Sequence, residues 1–380
     1  MTLTSLQAYY AVDQEPVFVN AIKGLLEATQ IPEHREDVVR HIRKLANEVF
    51  AMDIKHRRKK SPHSKRISLL SSSIVTGLVQ GVADGVVYDR AKTKELLTHI
   101  VEDFIGLKDK ITDESGIPAK EAGLPILMAL FSRLATLCYE EGWSRKLAGC
   151  LGLQVLADQE ALQAKWIPDR QLEYVRALFF VLRDTPKDTP RTLPEVVELL
   201  KTVIRMGNGP VDAEKTDARV EARFRKLVDL LVHELPSQQS IVRETTKECI
   251  QILADLRQVS IHDLIEAPAK ERLLNETSGP IFNKPLRALP FGMQIGNVDA
   301  ITYLLSIKPI VPAENDELLR LFHETIALAD ADDASLIGRI THHGLEISLR
   351  NLRVACLRLL CAGMESTQLF TGQNGQLRSK

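Results

Sequence analysis

Two histidine-glutamate pairs, His233-Glu234 and His323-Glu324, place side chains suited to metal-assisted hydrolysis next to each other. A zinc-binding hydrolase helix needs a second histidine three residues after the glutamate, one turn on, and neither pair has it. His342-His343 with Asp330, Asp332 and Asp333 offers another set of ligand types, and the same density of charge suits a solvated polar loop. The cysteines do not complete it: there is no Cys-x-x-Cys, and Cys356 and Cys361 lack partner pairs at metal spacing. Phosphate chemistry fares no better. Gly207-Asn208-Gly209 is followed by Pro210, which removes an amide that a phosphate cradle would use, and no P-loop or dinucleotide fingerprint occurs. Gly-x-Ser-x-Gly is absent, His262-Asp263 has no nucleophile beside it, and the kinase sequences His-Arg-Asp and Asp-Phe-Gly are missing. The residues therefore nominate no catalytic group, no metal and no cofactor, leaving open only an enzyme whose site is assembled from scattered positions.

One stretch is chemically distinctive through charge. Between residues 55 and 66 stand Lys55, Arg57, Arg58, Lys59, Lys60, Lys65 and Arg66, seven cations in twelve residues, with Ser61-Pro62 as a breaker. Such a block suits nuclear import or contact with a polyanion, and it equally suits a solvated loop between helices. The whole chain is different: 49 basic against 50 acidic residues give a net charge of −1. Nucleic acid is thus no default partner.

With 44% hydrophobic and 26% charged residues, composition matches an ordinary globular chain long enough to bury a large core. Five cysteines, an odd count, four of them inside apolar helical patterns, read as reduced and intracellular. The first ten residues lack the basic region and apolar run of a secretory signal.

The apolar periodicity is helical throughout, with no run of strand-type alternation between hairpin turns. Helices are expected over Glu15–Thr29 and from Pro32, where Val38, Ile42, Leu45, Val49 and Met52 step by four and three. Ile67–Tyr88 is apolar enough to raise a membrane question, but Gln80 and Asp84 interrupt it and a span needs about 20 predominantly apolar residues. Its Ser73, Gly77, Gly81 and Gly85, four apart, are expected instead to let a neighbouring helix approach closely, with Lys94–Leu107 as partner. A polar linker over Lys108–Ala122 leads to a hairpin, Leu124–Glu141 and Trp143–Asp158, broken at Gly142. Further helices are expected over Tyr174–Arg183, from a Thr192/Glu195 capping box to Met206, and over Asp217–Leu235, Ile241–Leu256, Asp299–Ser306, Asn315–Ala329 and Ile347–Gly363. A weaker one covers Ser260–Asn275, and Thr277–Gly292, with three prolines, reads as an irregular crossing.

One pattern recurs. A basic residue is followed three positions later by a small one and seven later by an aliphatic one: Lys146, Gly149, Leu153; Arg243, Thr246, Ile250; Arg353, Cys356, Leu360. On a helix this puts small and aliphatic residues one turn apart on one buried side, as in the inner helix of a HEAT-type hairpin. The copies lie about 100 residues apart, more than twice a HEAT period of ~40 to 47, so the intervening repeats are degenerate. The fold class is all-α, a HEAT-type α-solenoid of stacked helical hairpins.

At Trp143-Ser-Arg-Lys-Leu-Ala-Gly-Cys-Leu-Gly the chain resembles the HEAT region of the TRRAP family, transcription-associated relatives of the phosphatidylinositol-3-kinase-like kinases. Val232-His-Glu-Leu-Pro-Ser-Gln-Gln-Ser-Ile-Val-Arg-Glu, the Pro-rich crossing and helix from Pro285 to Tyr303, and Ser348-Leu-Arg-Asn-Leu-Arg-Val-Ala-Cys-Leu extend the likeness in order and spacing. Family members are many times longer and end in a kinase-like domain, regarded as having lost its catalytic residues, that is absent here. The resemblance implies a nuclear, non-catalytic coactivator subunit of SAGA and nucleosomal histone H4 acetyltransferase complexes. Its implied partners are the other subunits and transcription activators, with no membrane and no direct nucleic-acid contact.

The chain divides into an N-terminal helical segment, 1–120, carrying the basic run; hairpins over 121–276; the irregular crossing, 277–293; and further hairpins over 294–380. Lys380 follows a Gly-rich stretch where another helix is expected, so the chain reads as a fragment of something longer. A HEAT scaffold of another related kinase, or of a transport receptor, is the neighbouring alternative.

Overall fold

A computed structural model describes residues 15–60, 66–110, 119–186, 193–208, 217–268, 290–307, 316–337 and 343–374. Among the described residues all regular structure is α-helix. The chain divides into two compact units, Met1–Val181 with Pro186–Gly207, and Leu182–Thr185 with Asn208–Lys380.

The first unit is organised by small residues. Helices α1 (Glu15–Ala28), α2 (Arg35–Lys60), α3 (Leu69–Tyr88) and α4 (Arg90–Lys110) pack around α3. Gly77 and Gly81, four apart and so on one side of α3, lie directly under Ile22 and Leu26 of α1. A methyl group on Gly77 would sit 2.7 Å from Ile22 Cβ, which is why only glycine fits. The expected partner of this face, the helix at Lys94–Leu107, is wrong for those two residues. Only Gly85 faces α4, through Thr93, because Asp89 ends α3 and the chain turns back there. By length and composition α3 could cross a bilayer, yet 67% of that apolar window is buried within the fold.

α3 begins at Ser68, whose side chain caps the first turn by accepting from the Ser71 amide at 3.2 Å. The Ser68 amide in turn donates to the buried Asp53 carboxylate of α2 at 3.1 Å. The buried face of α2 is broader than the expected narrow stripe. Ile42, Ala46, Val49, Phe50, Asp53 and Ile54 are buried, whereas Val38, Leu45 and Met52 are half-buried. Phe50 meets Phe104 of α4 edge-to-face, ring centres 5.4 Å apart.

α5 (Ala119–Leu137) and α6 (Trp143–Ala157) form the hairpin expected around Gly142, the N-cap residue of α6. Gly149 and Gly152 let α6 press onto Leu134 and Cys138. After the single turn α7 (Glu160–Gln163), α8 (Trp166–Arg183) begins eight residues before the expected Tyr174. Trp166 and Tyr174 both pack on Phe131 of α5, at 5.4 and 4.9 Å between ring centres. The buried Gln171 amide donates to the carbonyls of Val203 at 2.7 Å and Met206 at 2.9 Å. It thereby satisfies the frayed end of α9 (Leu193–Arg205), which Gly207 terminates at φ 76° against Pro168. Of the expected capping box, Glu195 lies in α9 and Thr192 lies outside the described residues.

In the second unit, α10 (Ala218–Glu234) is capped by Asp217, whose carboxylate accepts from the Arg219 amide at 2.9 Å. It buries Phe224, Leu227, Leu231 and, just past its end, Leu235. α11 (Ser240–Arg257) closes on Gln258 in the left-handed conformation, and α12 (Ile261–Pro268) follows. α13 (Phe291–Ile307) starts at Phe291, so the expected crossing of 277–293 is already helical at 291–293; residues 269–289 lie outside the described set. α14 (Asp316–Asp330), the short α15 (Asp333–Ile337) and α16 (His343–Asn374) complete a core of Val298, Ile301, Leu305, Leu321, Leu328 and Leu359.

Candidate functional site

The recurring basic residue is the natural first candidate for a contact point, and in each copy it is consumed inside its own unit. Lys146 is 2% exposed and its ammonium lies 4.9 Å above the Phe180 ring. Arg243 donates through Nη1 to the carbonyls of Ser237 (2.9 Å) and Gln238 (3.1 Å), and its Nε stands 2.9 Å from Asp299 Oδ2. Arg353 donates to the Ala331 carbonyl at 2.5 Å and pairs with Asp333 at 2.7 Å. In α11 the basic residue thus clasps the turn that precedes its helix, and in α16 it clasps the turn between α14 and α15. The small residues Gly149, Thr246 and Cys356 are buried, as are Leu153 and Ile250. Leu360 is only half-buried; the core position there is Leu359, because the open side of α16 leaves less of its circumference covered. The motif builds the fold.

The other nominated residues do not converge. His233 is exposed while its neighbour Glu234 is buried, and Glu324 pairs along its own helix with Arg320 at 3.1 Å. Asp333 is taken by Arg353, and His262 Nδ1 meets Asp263 at 3.3 Å on the surface. Among the described residues no three His, Cys, Asp or Glu side chains group as a metal set. All five cysteines are free, and four are buried. The contact with Cys150, together with burial, pushes the Cys138 thiol well above its ordinary value, and burial pushes Cys356 up to about 11. Thiols held protonated in this way are poor nucleophiles.

A cleft of about 420 Å³ opens beside Thr29, Arg35, Arg43, Lys92 and His99. Its cations already have partners: Arg35 donates to the Thr29 carbonyl at 2.8 Å, Arg43 to both Asp103 oxygens at 2.7 and 2.9 Å, and Lys92 pairs with Asp89 at 2.7 Å. These charges point at separate acceptors and not at a common point.

The basic run is placed differently from the inter-helix loop expected of it. Lys55, Arg57, Arg58, Lys59 and Lys60 form the last turns of α2, with Lys55 exposed; Arg66 is exposed just ahead of α3, and Lys65 lies outside the described residues. Cations at a helix C-terminus are favoured by the helix dipole, which explains why the helix continues through them.

The geometry is that of packing, and comparison with known proteins follows suit. The family model of the Tra1 HEAT repeat ring region matches residues 5–380. The chain belongs to this family. It is 31% identical over 313 residues to the SAGA complex/NuA4 acetyltransferase complex subunit Tra1 of Schizosaccharomyces pombe, covering 80% of this chain and 8% of that protein. It is 35% identical over 245 residues to the corresponding subunit of Saccharomyces cerevisiae, covering 64% of this chain and 6% of that one. The human transformation/transcription domain-associated protein is 27% identical over 255 residues, 65% of this chain and 6% of its own length. This Tra1-ring chain therefore spans less than a tenth of the length of these relatives, and its all-α HEAT-type solenoid fold is the family's.

Proposed function

We propose that this chain is a non-catalytic scaffold segment of a nuclear transcription coactivator subunit, working within complexes of the SAGA and NuA4 acetyltransferase kind. The observation that carries the reading is the Tra1-ring match over residues 5–380, joined to relatives whose names place them in those complexes. Mechanically, the segment supplies helical surface on which other subunits and transcription activators dock. The basic run at the end of α2 is the part suited to an acidic partner, since its cations gather at a helix end where Lys55 is exposed. Replacing Lys55, Arg57, Arg58, Lys59, Lys60, Lys65 and Arg66 by glutamine weakens that contact, most strongly at low salt. Unchanged activator binding at low salt discards the basic contact alone. The scaffold reading is tested by affinity purification of the natural polypeptide followed by mass spectrometry. Recovery of acetyltransferase subunits supports it, and their absence removes it.

A further inference from the structure

The scaffold role leaves one serine at the start of α3 unexplained. Lys65-Arg66-Ile67-Ser68-Leu69 sets two cations three and two positions ahead of a hydroxyl and an aliphatic residue directly after it. Protein kinases with acidic substrate pockets choose acceptors by such a charge pattern, and they take the acceptor segment as extended chain. The structure meets both conditions. Ser68 lies outside the helix in extended backbone, φ −61° and ψ 154°, and is half-buried. Arg66 is exposed on one side of it, and Leu69 is 40% exposed on the other.

Other hydroxyls with a basic residue three positions earlier fail one condition or the other. Thr93, after Arg90, and Thr246, after Arg243, are buried inside helices. Thr136, after Arg133, is exposed but helical, and its hydroxyl donates to the Ser132 carbonyl at 2.8 Å. Ser260 is exposed ahead of α12, yet Arg257 before it is stacked 3.8 Å above the Phe224 ring and is withdrawn from a visiting protein. Ser68 joins the charge pattern to an open, extended backbone.

Ser68 also stands at a joint. Its amide is held by Asp53 of α2, and its hydroxyl caps α3 and donates to Ser71 Oγ at 3.0 Å. A phosphate carries about −1.5 to −2 charge near neutral pH, so one placed here falls beside a buried carboxylate at the connection of two helices.

We infer that Ser68 is a phosphorylation site for a protein kinase that reads basic residues ahead of its acceptor. In the transfer Ser68 Oγ bonds to the γ-phosphorus of ATP, the bond from that phosphorus to the β–γ bridging oxygen breaks, ADP leaves, and the hydroxyl proton passes to the kinase's base. The inference rests on this segment and stands apart from the coactivator reading.

The test is a time course of the natural polypeptide, first treated with phosphatase, in ATP, Mg²⁺ and the catalytic subunit of cAMP-dependent protein kinase, with phosphate mapped by mass spectrometry. The folded polypeptide is expected to take up phosphate at Ser68. The Lys65→Gln/Arg66→Gln variant is expected to do so about tenfold or more slowly, the loss of at least one charge-assisted contact to the kinase. That variant keeps Ser68 and its cap, so the comparison does not depend on a disturbed fold. No phosphate at Ser68, phosphate there only in polypeptide unfolded by heat beforehand, or equal rates in the two polypeptides would each overturn the inference.

Discussion

The Arg243 guanidinium and the Asp299 carboxylate meet at 2.9 Å with side chains 7% and 15% exposed, joining α11 to α13. The contact sits beside Gly296, which lies against the carbonyls of Pro236 and Ser237 so closely that no side chain fits. One arginine therefore holds its own preceding turn and α13 together, while the glycine sets how near they come. Arg243 owes its place in the recurring pattern to this geometry.

Asp299→Ala leaves the Arg243 charge buried with only carbonyl partners and is expected to cost about 3 to 5 kcal/mol in urea unfolding. Replacing both residues by apolar ones, Arg243→Met with Asp299→Leu, costs less than the sum of the single changes. Additive losses in this double-mutant cycle contradict the pairing.

Glycines separate into two classes by what surrounds them. Gly149→Ala drives a methyl group to within 2.9 Å of the Cys138 amide nitrogen and the Leu134 carbonyl oxygen, so the backbone must shift. A loss of about 1 to 3 kcal/mol is expected from this overpacking. Gly24→Ala in α1 meets nothing within 4 Å and is expected to gain about 0.5 to 1 kcal/mol from helix propensity. Thermal unfolding of the two variants should move in opposite directions.

Leu153 has no exposed surface. Leu153→Ala opens a cavity and is expected to lower stability by about 2 to 5 kcal/mol. Stability within a few tenths of the parent protein contradicts the packing of α6 described above.

The hydrogen bonds from Arg43, aided by its charge, hold the Asp103 carboxyl below its ordinary 3.8. A carboxyl depressed in the folded state stabilises above its unfolded pKa and loses that contribution as pH falls through the folded one. Asp103→Asn should thus be less stable than the parent at pH 7, by an amount on the order of 1 kcal/mol or less because solvent reaches both partners. The gap should close below pH 3.8, as acid-titrated unfolding curves would show.

Much of this was legible in the sequence. The Gly142 break, the stripe ending in Leu235 and the smooth side of α3 were readable because helical periodicity and glycine spacing are local signals. The partner of that smooth side was not, since nothing local distinguishes Ile22 and Leu26 from the helix at Lys94. Nor could spacing reveal that Gln171 would cap α9 or Asp53 hold Ser68, because each links residues far apart in the chain through one hydrogen bond. Lys55 to Lys60 read as a loop from their charge, although the helix dipole makes the same charges good helix-ending residues. The basic positions Arg243 and Arg353 could be picked out by their recurrence, but their buried partners could not.

We propose that this chain works as a platform and not as a catalyst. The most direct measurement is of transferase activity in the affinity-purified natural polypeptide, before and after a high-salt wash that strips associated proteins. Histone acetyltransferase activity is expected before the wash, and neither acetyl nor phosphoryl transfer by the stripped polypeptide. Absence of acetyltransferase activity at the start, or a transferase activity that stays with the stripped polypeptide, would contradict it.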